Sequence, residues 1–481
     1  MKTAGGEHEE AAGLRFLAKN IGVLTISNFA SKILTFFLVP LYTSALSTAE
    51  FGTFDLINTT VNLLVPVLTL NIAEGVIRFA LDKDADQQAV FTVGVRYTLI
   101  GTAIVTVLLL LARGLGIFPE ITEWWPMFLA MYVCYAFAVI VSNEVRGLDK
   151  MREIAVAGVI GSVVTIALNI ILLLPLHMGL LGYFIATVGG SLAQTGYLTV
   201  TAKLWRYVKP SAPVHDFRLS MRKYSTPMMA NSVAWWVNNV ADRYVVTAFC
   251  GVAENGIYAV ATKIPSILDV VQIIFNQAWI LSAVHEFDPE DKDGFYRKTY
   301  CMYGFVMVGA CSALILLDRP LARFLYADDF FAAWRFVPFL LLSIVFGALS
   351  GHIGGVFAAV KDPHPYATST AIGACVNIAI NLVIVPLMGP LGAAIATAIS
   401  YWVVWVIRRH KMMQLIHVDL RLTRDYASYA VLVAQSIVLL VLPADTAAVY
   451  LIELALLVLE LVLYRSEALT LLRALKQFIG R

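Results

Sequence analysis

Four charged side chains, Asp242, Arg243, Lys263 and Asp269, lie in sequence otherwise apolar enough to cross a membrane. They fall between Asn231 and Gln277, in NSVAWWVNNVADRYVVTAFC, a short break at GVAENG, and IYAVATKIPSILDVVQIIFNQ. A charge at bilayer depth costs about 2.5 to 3.5 kcal/mol on insertion scales, so these residues should face water, one another or a ligand. Carboxylates in such a place can carry a proton or a cation, and an arginine can grip a phosphate with two parallel hydrogen bonds. Asn231, Trp235, Asn238 and Asp242 follow the i, i+4, i+7, i+11 spacing of one helix face, with Trp236, Asn239 and Arg243 on the adjoining stripe. Together they make one broad polar sector that lipid would not accept. Lys263 and Asp269 stand about 120° apart around their helix and cannot readily pair within it. Asp269 instead shares a face with Gln272 and Asn276.

The first half of the chain repeats the pattern. Lys32 lies mid-way along the first apolar span, one turn after Asn28, and the second span carries Asp55, Asn58 and Asn62 on one face. Glu74 precedes Arg78 by four residues, the favourable order for an ion pair, and a structural bridge is the plainer reading of those two. Arg78 and Arg96 sit near the inner ends of their spans, where long side chains snorkel to the headgroups. If Lys32, Arg78, Arg96, Arg243 and Lys263 line one cavity against Glu74, Asp242 and Asp269, cations prevail. Such a cavity suits a phosphate or pyrophosphate. Asn28, Asn58, Asn62, Trp235, Asn238 and Asn239 would complete its lining, with the tryptophans either packing or stacking on sugar faces. Asp269, Asp242 and Glu74 are the carboxylates available for ion coupling.

Of the 481 residues, 59% are apolar types and 14% charged, against about 25% charged in soluble domains. Repeated apolar runs of this length exceed what one globular core absorbs, so the chain reads as an all-α integral membrane protein. About fourteen spans are expected, centred near Ala30, Leu64, Val105, Val133, Ile166, Gly190, Val237, Val270, Val308, Ile344, Val376, Thr397, Ala434 and Leu456. With the N-terminus inside, roughly 26 Lys and Arg fall on the inner side and about 4 on the outer. Both termini are therefore expected in the cytoplasm.

Two echoes mark an internal repeat. GLLGYFIAT from Gly179 matches GPLGAAIAT from Gly389, each after an Asn and a Pro, and AEFGTF from Ala49 matches AENGIY from Ala253. Nearly equal offsets imply two homologous six-helix lobes, related as a parallel repeat, with a substrate site expected between them. The expected division is an N-lobe over 1–203, a cytoplasmic linker over 204–222, a C-lobe over 223–411, a terminal helix pair over 412–465 and an amphipathic cytoplasmic tail over 466–481. In that tail Leu472, Leu475 and Ile479 share a face suited to the membrane surface.

Several chemistries are missing. The five cysteines lack metal spacing and read as packing residues, and GxxxxGK[ST], HExxH and GxSxG are absent. The outer connection DRPLARFLYADDFFAAW is short for a catalytic domain, and its Asp328 and Asp329 read as solvated loop residues rather than cation ligands. Neither enzyme activity nor a nucleic-acid partner is expected.

Taken together, WWVNNVADRYVV, AENGIYAVATKIP and NEVRGLDKMREIAVAG, set in this helix pattern, resemble the polysaccharide-export (Wzx-type) flippases. These belong to the multidrug/oligosaccharidyl-lipid/polysaccharide (MOP) transporter superfamily. The resemblance covers essentially the whole chain and implies a MATE-like fold. It implies flipping of an undecaprenyl-diphosphate-linked oligosaccharide from the inner to the outer leaflet of the bacterial plasma membrane by alternating access. It also implies central-cavity roles for Arg243 and Lys263, no cofactor beyond a coupling proton or sodium ion, and the lipid-linked oligosaccharide and membrane lipids as partners. A polysaccharide polymerase and glycosyltransferases would act beside it. A lipid II flippase, a multidrug cation exporter with an acidic or aromatic cavity, and a membrane glycan polymerase or ligase are the alternatives.

Overall fold

A computed structural model describes residues 36–82, 86–208, 215–442 and 446–479. Among them every regular element is helical. The first set is α1 (Val39–Ala45), α2 (Thr48–Leu68), α3 (Ile72–Ala80), α4 (Gln87–Gly114), α5 (Pro119–Thr122), α6 (Trp125–Gly147), α7 (Met151–Leu173) and α8 (Gly179–Ala202). A long α9 (His215–Cys250) follows, then α10 (Val252–Ala261), α11 (Pro265–His285), α12 (Phe295–Leu316), α13 (Asp318–Leu325), α14 (Val337–Ala359), α15 (His364–Met388) and α16 (Pro390–Leu415). The chain ends in α17 (Leu422–Val441), α18 (Ala447–Leu463) and α19 (Arg465–Ile479).

Nine of the described helices are each long and apolar enough to cross a membrane, and two bent pairs raise the number to 11. Every expected span centre except that near Ala30, which lies outside the described residues, falls within a helix. The other three expected spans are the one near Ala30, outside the described residues, and α8 and α9, which are too polar to qualify by composition. One break separates α10 from α11 by 50°, and the other turns α19 by 79° away from α18. The protein is a multi-pass membrane protein.

Local chemistry sets the ends of these helices. A capping box opens α2, where Ser47 Oγ accepts from the Glu50 N–H at 3.2 Å and Glu50 Oε2 accepts from the Ser47 N–H at 2.8 Å. Prolines sit at the starts of α11, α14 and α16, where a missing N–H costs nothing. Gly251, between α9 and α10, has φ +91° and ψ 167°, a conformation essentially restricted to glycine.

Contacts divide the chain into two compact units, Met1–Val237 and Asn238–Arg481, the boundary falling inside α9. In the first, Phe54, Ile57 and Val61 of α2 pack with Val105 of α4, Phe128 and Tyr132 of α6 and Phe184 of α8. Helices α7 and α8 cross so closely that a Cβ on Gly190 would meet the Gly161 carbonyl at 2.8 Å and overlap the Thr165 hydroxyl. Small residues at such crossings let backbones approach inside a membrane, where dispersion contacts replace the hydrophobic effect. In the second unit α14 and α15 both pack on α16, as α6 and α7 both pack on α8 in the first. The same pairing thus recurs around the two GxLGxxIAT helices.

The connection from Asp318 to Trp334 is more ordered than a solvated loop. It forms α13 and a 3-10 turn over Asp328–Arg335, with Arg319 buried and its guanidinium 4.3 Å from the Trp334 ring centroid. Of the five cysteines, all reduced, Cys134, Cys301 and Cys311 are buried, whereas Cys375 is exposed on α15.

Candidate functional site

In the first unit the polar face of α2 is largely satisfied by its own backbone. Asn62 Nδ2 donates to the Asn58 carbonyl at 2.9 Å, and both side chains are half-buried. Asp55, one turn earlier, is buried. Trp236 Nε1 donates to the Thr59 carbonyl at 2.9 Å, so this tryptophan fastens the first half of α9 to α2. Asn71, in the left-handed region at φ +50°, adds a second tie through Nδ2 to Ser232 Oγ at 3.1 Å. Trp235 is 63% exposed.

Glu74 and Arg78 are both exposed on α3, and Arg78 pairs with Asp82 at 2.6 Å rather than with Glu74. The helix ends at Ala80, which leaves Asp82 in the following turn within reach. Arg96 is half-buried on α4. Lys32 and Asn28 lie outside the described residues.

The second unit gathers its polar residues into a connected cluster. Asp242 is buried, 6% exposed; its Oδ2 accepts from the Tyr258 hydroxyl at 2.5 Å and from Thr397 Oγ1 at 3.4 Å, while Oδ1 accepts from the Arg243 N–H at 2.9 Å. Thr397 in turn accepts from Asn377 Nδ2 at 3.3 Å. Asn381 Nδ2 donates to the Asn377 carbonyl at 2.9 Å and to its Oδ1 at 3.0 Å. The Asn381 Oδ1 atom is buried and makes no hydrogen bond among the described residues. One carboxylate, two hydroxyls and two amides can hold a proton or a small monovalent cation, because all their oxygens are acceptors in a place from which the helices exclude lipid. Among the described residues no three His, Cys, Asp or Glu side chains come together as a metal site.

Tyr401, one turn after Thr397 on α16, makes a further tie to α9. Its hydroxyl donates to Asn239 Oδ1 at 2.6 Å, and Asp269 lies half-buried on α11. Of the expected coupling carboxylates, Asp242 is buried and Asp269 half-buried in this unit, whereas Glu74 is exposed in the other.

Arg243 is half-buried on α9, with its main-chain carbonyl held by Thr247 Oγ1 at 2.8 Å. Lys263 occupies the break between α10 and α11. Its N–H donates to the Val260 carbonyl at 3.0 Å, and its own carbonyl accepts from Ser266 Oγ at 2.6 Å. Pro265 can donate nothing to the preceding turn, so the helix bends where the cation sits. Irregular backbone at membrane depth persists only where protein or water satisfies it, which makes this break a marked position.

Sequence reading missed Tyr258, Asn377, Asn381, Thr397 and Tyr401 as site residues. A signal existed for three of them: Asn377 and Asn381 stand four apart in otherwise apolar ACVNIAINLVIVP, and Thr397 closes the repeat motif. The repeat extends to this chemistry. Asn169 in the first unit is buried like Asn381, donates one turn back to the Thr165 carbonyl at 2.9 Å, and likewise keeps a buried Oδ1 without a hydrogen bond among the described residues.

This fold is similar to solved transporters. A lipid II flippase MurJ in its inward closed conformation matches with a TM-score of 0.69 at 14% identity, covering 95% of this chain and 99% of that one. A multidrug resistance MATE family transporter of the MOP superfamily, inward-facing, matches with a TM-score of 0.63 at 15% identity, over 81% of this chain and 98% of that one. An outward-facing MATE family structure gives 0.55 at 20% identity, over 82% and 96%. No curated protein sequence matches. A family model described as polysaccharide biosynthesis protein matches residues 17–280, more than half of the sequence, and so this chain belongs to the polysaccharide biosynthesis protein family.

Proposed function

We propose that the protein is a flippase carrying undecaprenyl-diphosphate-linked oligosaccharide repeat units from the inner to the outer leaflet of the bacterial plasma membrane by alternating access. The observation that carries this reading is Lys263 held at a 50° helix break in an apolar span. With Arg243 on α9 it supplies cationic charge that can neutralise a diphosphate unable to cross hydrocarbon alone. Asp242 and Asp269 carry the coupling proton or sodium ion in this scheme. Transport without covalent change to the glycan separates the protein from polymerases and ligases.

The test is translocation of a labelled undecaprenyl-diphosphate oligosaccharide in vesicles containing the purified protein. Arg243→Ala and Lys263→Ala should abolish movement while leaving folded yield intact. Wild-type rates in both variants would refute the assignment. A second reading, lipid II flipping, is favoured by the near-complete overlap with the MurJ fold. Running lipid II through the same vesicles distinguishes the two substrates.

A further inference from the structure

The second unit carries a basic cavity where three spans end together. Phe295 begins α12, Leu422 begins α17, and α18 ends at Leu463 before the chain turns by 79° into α19. A turn that large at the end of a span directs α19 along the membrane surface rather than through it. The cavity, about 460 Å³, is lined by Arg297, Lys298, Arg421 and Thr470, with Cys301 and Met302 as its apolar floor. That volume falls within the roughly 300–1,000 Å³ of small-molecule sites. Glu467 also borders it, but the Glu467 carboxylate is taken by Arg424 Nη1 at 2.6 Å. Arg297 makes a long 3.8 Å contact to the exposed Asp419, and Lys298 Nζ donates to the Asp293 carbonyl at 2.8 Å, so among the described residues neither is neutralised by a close carboxylate. Arg421 is exposed. On α19, Ser466 and Thr470 turn toward the cavity, while Leu469 and Leu472 are exposed on a different face.

We propose that this cavity binds the phosphodiester headgroup of an anionic glycerophospholipid, with Leu469 and Leu472 of α19 resting in the adjacent acyl boundary. Three cations converge where three spans end, as phosphates do at the ends of spans in a bilayer, and Cys301 and Met302 would take the glycerol backbone. A zwitterionic headgroup such as phosphocholine brings its own cation, which opposes the three here, and so gains less. A soluble phosphate ester satisfies them but leaves the leucines and the floor in water. The site is separate from Arg243 and Lys263 and does not depend on which glycan is carried.

Native mass spectrometry of the full-length protein tests this with phosphatidylglycerol, phosphatidylcholine and glycerol 3-phosphate as probes. Phosphatidylglycerol should be retained over phosphatidylcholine. An Arg297→Gln, Lys298→Gln, Arg421→Gln triple variant should lose about fivefold in retention per cation removed, as expected for basic residues at an anionic surface. Equal retention of the two phospholipids, or unchanged retention in the triple variant, would overturn the proposal. Binding of glycerol 3-phosphate as tight as that of phosphatidylglycerol would overturn the lipid as its source. If the triple variant does not fold, the exposed Arg421→Gln change alone carries the test: a loss of about fivefold supports the site, and no loss refutes it.

Discussion

The Tyr258 hydroxyl donates to the Asp242 carboxylate at 2.5 Å, locking α10 onto the end of α9 across the Gly251 turn. The bond makes a buried acid part of the helix junction from which α10 runs to Lys263.

The first prediction concerns that carboxylate. Asp242→Asn keeps the shape and, with its oxygen turned to Tyr258, still accepts from it while its Nδ2 faces the Arg243 N–H; it carries neither charge nor an exchangeable carboxyl proton. A charge-assisted hydrogen bond is worth about 1.5–3 kcal/mol and a neutral one about 1, so the fold should survive with a modest loss. Vesicle translocation driven by an imposed proton or sodium gradient should fall to the rate without a gradient. Retained acceleration by the gradient would remove Asp242 from the coupling scheme.

A second prediction addresses the turn itself. Gly251→Ala forces a Cβ into a backbone region that alanine avoids, at a cost of about 1–3 kcal/mol. Gly196, inside α8 with nothing within 4 Å of an added Cβ, serves as the control, and Gly196→Ala should be neutral or stabilising by up to about 1 kcal/mol. Thermal unfolding in detergent reports both. A Gly251→Ala variant as stable as the parent would mean that the junction is not fixed by this conformation.

The helical membrane class was legible because each span is a run of apolar residues, and the repeat was legible because GLLGYFIAT and GPLGAAIAT survive in both halves. The break at Lys263 was not. Its apolar pattern continues through KIPSILDVV, and a proline at a first helical turn looks the same whether it starts a new helix or interrupts one. The polar sector of α9 was visible, but its partners were not: Trp236 bonds the Thr59 carbonyl, Asn239 accepts from Tyr401, and Asp242 accepts from Tyr258 and Thr397. Those partners lie tens to hundreds of residues away, and periodicity reports a face without saying what it meets. Arg408 has no reading in the sequence for the same reason; it is buried on α16, bonding Ser369 Oγ at 2.9 Å and lying 3.7 Å from the Tyr366 ring centroid.

The last prediction concerns the foot of the terminal helix pair. Arg424 Nη1 bonds Glu467 at 2.6 Å, Nη2 bonds Asp425 at 2.9 Å, and the guanidinium lies 4.2 Å from the Tyr464 ring centroid, so one cation joins the start of α17 to the start of α19. The ion pair is only 10% and 11% exposed. Breaking such a pair from one side leaves an uncompensated carboxylate and costs about 3–5 kcal/mol, whereas an exposed bridge would cost little. Arg424→Gln should therefore undock α19, read as increased mobility of a spin label attached through Leu472→Cys in a Cys375→Ser background. The same label should report pH. Burial raises the Glu467 pKa, but hydrogen bonds from Ser466 and Arg424 more than offset it and hold the carboxyl below its ordinary value of 4.5. A depressed carboxyl stabilises the docked helix above that ordinary value, and the stabilisation is lost as pH falls through the lower, folded-state pKa. Label mobility should thus stay low at neutral pH and rise below about pH 4.5 in the parent, while Arg424→Gln should be mobile at neutral pH already. A parent label that stays immobile under acid, together with an Arg424→Gln label as immobile as the parent's, would show that α19 is held by its apolar contacts and not by this clamp.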